Sequence, residues 1–145
     1  MAESNVPREA IAVYEQWKKA FKELDASTMK SLFDADYPGF AYQAEEIPGA
    51  HKSSEQLGAY WDNAVELVES VPQWDETERH VGVTGDVVTV FAIATVTLKI
   101  KGVAKPFTDK PLRTTHVIHK RDGKWKILQY HESRVLDLAA ILAAG

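Results

Sequence analysis

The chain has 145 residues, 45% hydrophobic and 26% charged, the make-up of one ordinary globular domain long enough to bury a core. Its net charge of −4 comes with scattered Lys and Arg, so there is neither a basic stripe for nucleic acid nor a basic amphipathic helix for a membrane surface. The absence of cysteine excludes disulfides, thiol catalysis and cysteine metal sites, and fits a reducing compartment. The start, MAESNVPREA, has no apolar signal core and no apolar run approaches a membrane span, so a cytoplasmic protein is expected.

Residues 1–6 read as a frayed start. Pro7 suits a first helical turn, with Asn5 as its candidate cap. Ala10, Val13, Tyr14, Trp17, Phe21 and Leu24 recur at helical spacing, opposite Glu15, Lys18, Lys19, Lys22 and Glu23. Asp25 can cap a second, short helix carrying Met29, Leu32 and Phe33. Pro38-Gly39 ends it, and Phe40–Gln43 can form a short strand before an acidic, turn-rich loop through Gly49. Ser53 and Gln56 have capping-box spacing for a third helix, read to about Val71 and stopped by Pro72.

From Glu78 the period changes to two. Gly85-Asp86 reads as a turn between Arg79–Thr84 and a long strand, Val87–Lys101, whose even positions from Val88 to Ile100 are all apolar. At roughly 3.3 Å per residue that strand would reach about 50 Å, so it must twist or bulge in a small domain. Gly102–Lys110 reads as a loop. Two runs rich in β-branched and aromatic residues, Leu112–His119 and Trp125–Ser133, then flank Arg121-Asp122-Gly123 as a hairpin. Asp137 can cap a short terminal helix in VLDLAAILAAG. Helices before residue 75 followed by a strand meander make an α+β domain with no internal domain boundary.

If Lys120 pairs with Lys124 across a three-residue loop, His119 faces Trp125, Val117 faces Ile127, Thr115 faces Gln129 and Arg113 faces His131. One face then grades from apolar near the turn to Thr115, Gln129, Arg113, His131 and Ser133, as the wall of a ligand pocket does; a surface ladder is the alternative. Ile118, His116, Leu128, Tyr130 and Glu132 fall on the other face, where an apolar patch would be covered by a second copy of the chain.

These motifs carry a resemblance. Arg113-x-Thr115-x-Val117, Asp122-Gly123-Lys124-Trp125-Lys126-Ile127, His131-x-Ser133 and Ala59-Tyr60-Trp61, with the order of elements over roughly residues 7–134, resemble the cystatin-like cone superfamily. That group includes nuclear transport factor 2, ketosteroid isomerase, scytalone dehydratase and the SnoaL-like polyketide cyclases; SnoaL-like domains and the association domain of calmodulin-dependent kinases show a very similar pattern. The resemblance implies a curved antiparallel sheet wrapped around three helices, an apolar pocket at one end of the cone, and a homodimer formed through the sheet's outer face. It does not fix the chemistry, because this scaffold carries isomerases, dehydratases, cyclases, hydrolases and plain binding domains.

His131 is the leading general acid or base, since imidazole titrates near neutrality; a satisfied core histidine is the alternative. Arg113 can hold developing negative charge, or form a structural ion pair with Asp34 or Asp36. Asp36 stands roughly where isomerase-like relatives carry a base, although a turn aspartate explains it too. Tyr14, Trp17, Tyr42 and Trp61 are expected on the pocket wall with Thr115 and Gln129, and core packing accounts for the aromatic residues equally well. Ketosteroid isomerases carry a second, protonated acid on an inner strand. Neither Val87–Leu98 nor Leu112–His119 has a carboxylate, and Glu132 is expected to point outward, so steroid-isomerase chemistry is not supported. No metal site, cofactor motif or nucleophile elbow is present. Two functions stay open: a cofactor-independent acid–base enzyme of isomerase, cyclase or dehydratase type acting on a small, mostly apolar molecule, and a non-catalytic ligand-binding or oligomerisation domain.

Overall fold

A computed structural model describes residues 6–145. Val6 packs against the core, while the Asn5 cap and the rest of the expected frayed start lie outside the described residues. Helix α1 (Arg8–Glu23) buries Ala10, Val13, Tyr14, Trp17 and Ala20 along one stripe. It ends at Leu24, whose φ of 55° lets its N–H return to the Ala20 and Phe21 carbonyls. Helix α2 (Ala26–Ser31) is capped by Asp25, which accepts from the Thr28 amide at 3.1 Å. Strand β1 (Ala41–Gln43) follows, and then α3 (Ser54–Leu67), where Ser53 Oγ accepts from the Gln56 amide at 3.1 Å.

Four long strands complete the sheet: β2 (Val68–Thr84), β3 (Val87–Ile100), β4 (Phe107–Arg121) and β5 (Lys124–Arg134). Their order is β1-β5-β4-β3-β2, antiparallel throughout except that β1 runs parallel to β5. This is the expected α+β domain, with a curved open sheet packed against the helices. Register shifts between Ala94 and Val96 on β3, and at three places along β2, relieve the length of these strands.

The third helix is shorter than its sequence suggests. It stops at Leu67, and Val68–Val71 belong to β2 instead. Pro72 therefore sits inside a strand, which is tolerated because β2 is a sheet edge and the ladder is irregular between Ser70 and Gln73. The terminal helix, α4 (Leu138–Ala144), is capped by Asp137 as read.

The hairpin register differs from the reading by one residue. Arg121 pairs with Lys124, Lys120 with Trp125 and Ile118 with Ile127. Asp122 and Gly123, both at positive φ (53° and 77°), close a turn of two central residues, the geometry favoured where two twisted strands meet. A second shift follows at once: Val117 pairs with Gln129, leaving Leu128 as an extra residue on β5. Ile127 is buried as expected, but beyond the bulge the parity changes. Thr114, His116 and Ile118 on β4, with Tyr130 and Glu132 on β5, are the buried face; Arg113, Thr115, Gln129 and His131 are not on it. The surface assigned to dimerisation through His116, Ile118, Leu128 and Tyr130 is thus largely the inner wall of the cone.

Candidate active site in the cone

The inner face meets the helices in two zones. Near the hairpin end it is filled: Trp17 packs on His116 with ring centroids 4.2 Å apart and on Tyr130 at 5.1 Å, and Tyr14 meets His116 edge-on at 5.1 Å. Toward the other end the packing opens into a cavity of about 730 Å³. Phe21 from α1 and Leu24 at its C-terminal cap, Trp61, Ala64 and Leu67 from α3, and Val96, Leu98 and Leu112 from the sheet give it an apolar wall.

One side of that wall is acidic. Glu132 projects inward from β5, Asp109 from the start of β4, and Glu45 from the loop after β1. The Glu45 amide donates to Glu132 Oε1 at 3.1 Å, and the Tyr130 hydroxyl donates to Glu132 Oε2. Burial is the main force on Glu132 and pushes its carboxyl up to about 7, against the two hydrogen bonds that favour its charged form. Burial likewise raises Glu45, to about 8, reinforced by the Asp109 carboxyl beside it and opposed by the Arg134 guanidinium. Glu45 Oε2 is buried with no hydrogen-bond partner among the described residues. Glu45 and Glu132, both raised toward neutrality by burial, can give and take protons near pH 7.

Of the residues expected at the site, only Trp61 lines this cavity. Tyr42 lies behind it, buried and stacked on the Tyr130 ring at 4.9 Å. Trp17 is core. Tyr14 points to β2, donating to Glu76 at 2.5 Å in a cluster with Lys18 and Arg79. His131 is exposed on the outer face opposite Thr115, and Gln129, also exposed, donates to the Gly39 carbonyl at 3.0 Å. Arg113 donates to Ser133 Oγ at 3.2 Å and the Arg134 carbonyl at 2.8 Å. Asp36 is exposed in the turn after α2. The expected Arg113–Asp34 pairing is replaced: Asp34 is buried and accepts from Arg121 Nη2 at 2.5 Å, Arg121 Nε at 2.8 Å and His119 Nε2 at 2.8 Å. That cluster ties the end of α2 to the hairpin and lies outside the cavity.

Glu45, Asp109 and Glu132 were missed. Glu132 was read as outward-facing, so the ground for setting aside a carboxylate on an inner strand does not hold. The Asp122-Gly123 pair, taken as a turn of two central residues, was the signal that would have moved His116 and Ile118 inward. Among the described residues, no group of three or more His, Asp or Glu side chains is arranged to hold a metal ion.

An open cone of sheet and helices around an acidic, otherwise apolar cavity defines a domain of the cystatin-like class. The chain belongs to the SnoaL-like domain family, whose model matches residues 11–137. No functionally curated protein matches it. It is similar in structure to a candidate dehydratase of the nuclear transport factor 2-like family from Streptomyces avermitilis (TM-score 0.77, 19% identity, 94% of this chain and 99% of that one). A candidate calcium/calmodulin-dependent protein kinase II association domain from Xanthomonas campestris matches at TM-score 0.73 and 22% identity, over 94% of each chain. A ketosteroid isomerase-like protein from Erwinia carotovora atroseptica matches at 0.72 and 15%, over 89% of this chain and 95% of that one. At these identities the likeness is one of fold. No helix among the described residues is long and apolar enough to cross a membrane.

Proposed function

We propose that the protein is a cofactor-independent acid–base enzyme, of isomerase, cyclase or dehydratase type, acting on a small, mostly apolar molecule held in the cone. The observation that carries this reading is the cluster of Glu45, Asp109 and Glu132 in a cavity otherwise walled by aliphatic and aromatic side chains. In the reading, ionised Glu132 takes a proton from the carbon next to a carbonyl, and the electron pair moves onto the carbonyl oxygen. The protonated Glu45 carboxyl hydrogen-bonds the oxygen on which negative charge develops. Returning the proton at another carbon gives isomerisation; loss of a β-hydroxyl as water, with the Glu45 proton, gives dehydration. A binding-only domain uses the same cavity without turnover.

The test is a panel of small cyclic ketones and β-hydroxy ketones incubated in D₂O and followed by NMR. Exchange of α-protons that falls at least about 100-fold in Glu132→Gln, with an unchanged circular dichroism spectrum, supports the enzyme. Tight binding of panel members with no exchange supports the binding domain.

We also propose pairing of two copies through the outer sheet face, where Phe91, Ile93, Thr115, Val117 and His131 stand. The exposed phenyl ring of Phe91 supports that reading.

A further inference from the structure

The residues after β5 form an apolar segment that the described residues leave exposed. Leu136, Leu138, Ile141 and Leu142 are all exposed, Leu138 at 60% and Leu142 at 76%, and α4 itself, LAAILAA, contains no charged or polar side chain. A helix of seven residues is too short to hold together in water by its own hydrogen bonds, which become adequate only at about 12–15 residues, so α4 needs a surface to pack on.

The rim of the cavity presents a matching surface. Leu67, at the end of α3, is 53% exposed, and Phe107, at the start of β4, is 40% exposed; both line the cavity. The two unsatisfied surfaces meet at one residue. Arg134 is the last residue of β5, lines the cavity and lies over the Phe107 ring at 5.9 Å. The chain passes from it into α4 through residues 135–137 alone. At no more than about 3.6 Å per residue, that connection keeps the start of α4 within about 14 Å of Arg134. At 1.5 Å per residue α4 is about 10 Å long, enough to lie across the mouth of a 730 Å³ cavity.

We propose that α4 is a lid. It folds back over the cavity of its own chain, setting Leu138, Ile141 and Leu142 against Leu67 and Phe107, and the conformation described above is the open one. Closure removes apolar surface from water on both sides and shuts solvent out from above Glu45, Asp109 and Glu132. The short tether favours the chain's own cavity over that of a second copy. The lid's value to the protein rests on the cavity being the working site, but its existence does not.

Because the chain lacks cysteine, the closed state can be trapped cleanly. Two double variants, Leu67→Cys/Leu142→Cys and Phe107→Cys/Ile141→Cys, would be oxidised with copper–phenanthroline and read by intact mass and free-thiol count, with no ligand present. The lid predicts that at least one pair forms an intramolecular disulfide in most molecules, at unchanged monomer mass on a denaturing gel. Both thiols remaining free in both pairs, or disulfide-linked dimers predominating, would overturn it. As a second measurement, Leu138→Asp/Leu142→Asp in the full chain should speed release of the neutral fluorophore 1-N-phenylnaphthylamine at least tenfold; an unchanged release rate counts against closure. Failure of the acid–base reading would leave the disulfide result intact.

Discussion

The backbone amide of Glu45 donates to Oε1 of Glu132 over 3.1 Å, joining two residues 87 apart in the chain. It holds the loop after β1 against the last strand, and so sets one carboxyl group beside another inside the cone. Tyr130 completes the arrangement from two residues away on β5, its hydroxyl donating to the other Glu132 oxygen while its ring stacks on Tyr42.

Tyr130→Phe should therefore act on Glu132 before it acts on the fold. The hydroxyl favours the charged carboxylate, so its loss should move the Glu132 pKa upward from about 7. Losing one buried hydrogen bond should also cost about 1–2 kcal/mol in denaturant unfolding. A Glu132 pKa that falls in the variant would contradict the assigned hydrogen bond.

His116 gives a prediction of opposite sign. It is wholly buried between Tyr14, Trp17 and Tyr130, neither ring nitrogen has a partner among the described residues, and burial lowers its pKa from 6.5 to about 3. The unfolded chain thus binds a proton in this range that the folded one refuses. Stability from this group is whole above pH 6.5 and is lost as pH falls toward 3. Glu132 does the reverse: its raised pKa stabilises most below 4.5 and is lost as pH rises through about 7. His116→Leu, close in volume and without unpaired nitrogens, should gain about 1 kcal/mol at pH 7. It should also show stability that rises on acidification from pH 7 to 5, where the parent's is flatter. Chemical denaturation at several pH values reads both effects.

Asp34 is the structural counterpart. Its carboxyl is held down to about 2, first by the hydrogen bonds from Arg121, with His119 adding to them against the cost of burial. Its contribution is present above pH 3.8 and lost as pH falls through about 2. Asp34→Ala should lower stability by about 1–3 kcal/mol at pH 7, since His119 loses its partner while Arg121 can turn to solvent. Proton-exchange chemistry in the cavity should be unchanged, because the cluster does not reach it.

The outer face supplies a fourth test. Phe91→Arg with Val117→Glu places charge on the sheet surface proposed to pair. Sedimentation should give a dimer for the parent chain and a monomer for the variant; an unchanged mass in the variant, or a monomeric parent, removes that proposal.

The element order was legible because period alone carries it: the helical stripe from Ala10 to Leu24 and the alternation from Val88 onward both survive as read. What the sequence hid was parity. Whether Asp122 and Gly123 alone turn the hairpin, or Arg121 joins them, decides which of His116 and Thr115 faces inward, and both assignments leave a passable pattern of apolar residues. The bulge at Leu128 has no local mark either, since Leu fits an inward, an outward or an unpaired position equally well. Glu45 and Asp109 lie in stretches read as loop, and only folding brings them to Glu132. An acidic residue in a loop says little until the chain that buries it is known.

The central claim is that Glu45 and Glu132 hold protons near neutral pH inside the cone. The direct measurement is a ¹³C NMR titration of the glutamate side-chain carboxyls, assigned with Glu45→Gln and Glu132→Gln. The account predicts two resonances titrating far above the ordinary 4.5, near 7 for Glu132 and near 8 for Glu45, with the second dropping when Asp109 is changed to Asn. Two carboxyls that titrate with the surface glutamates, around 4.5, would contradict it.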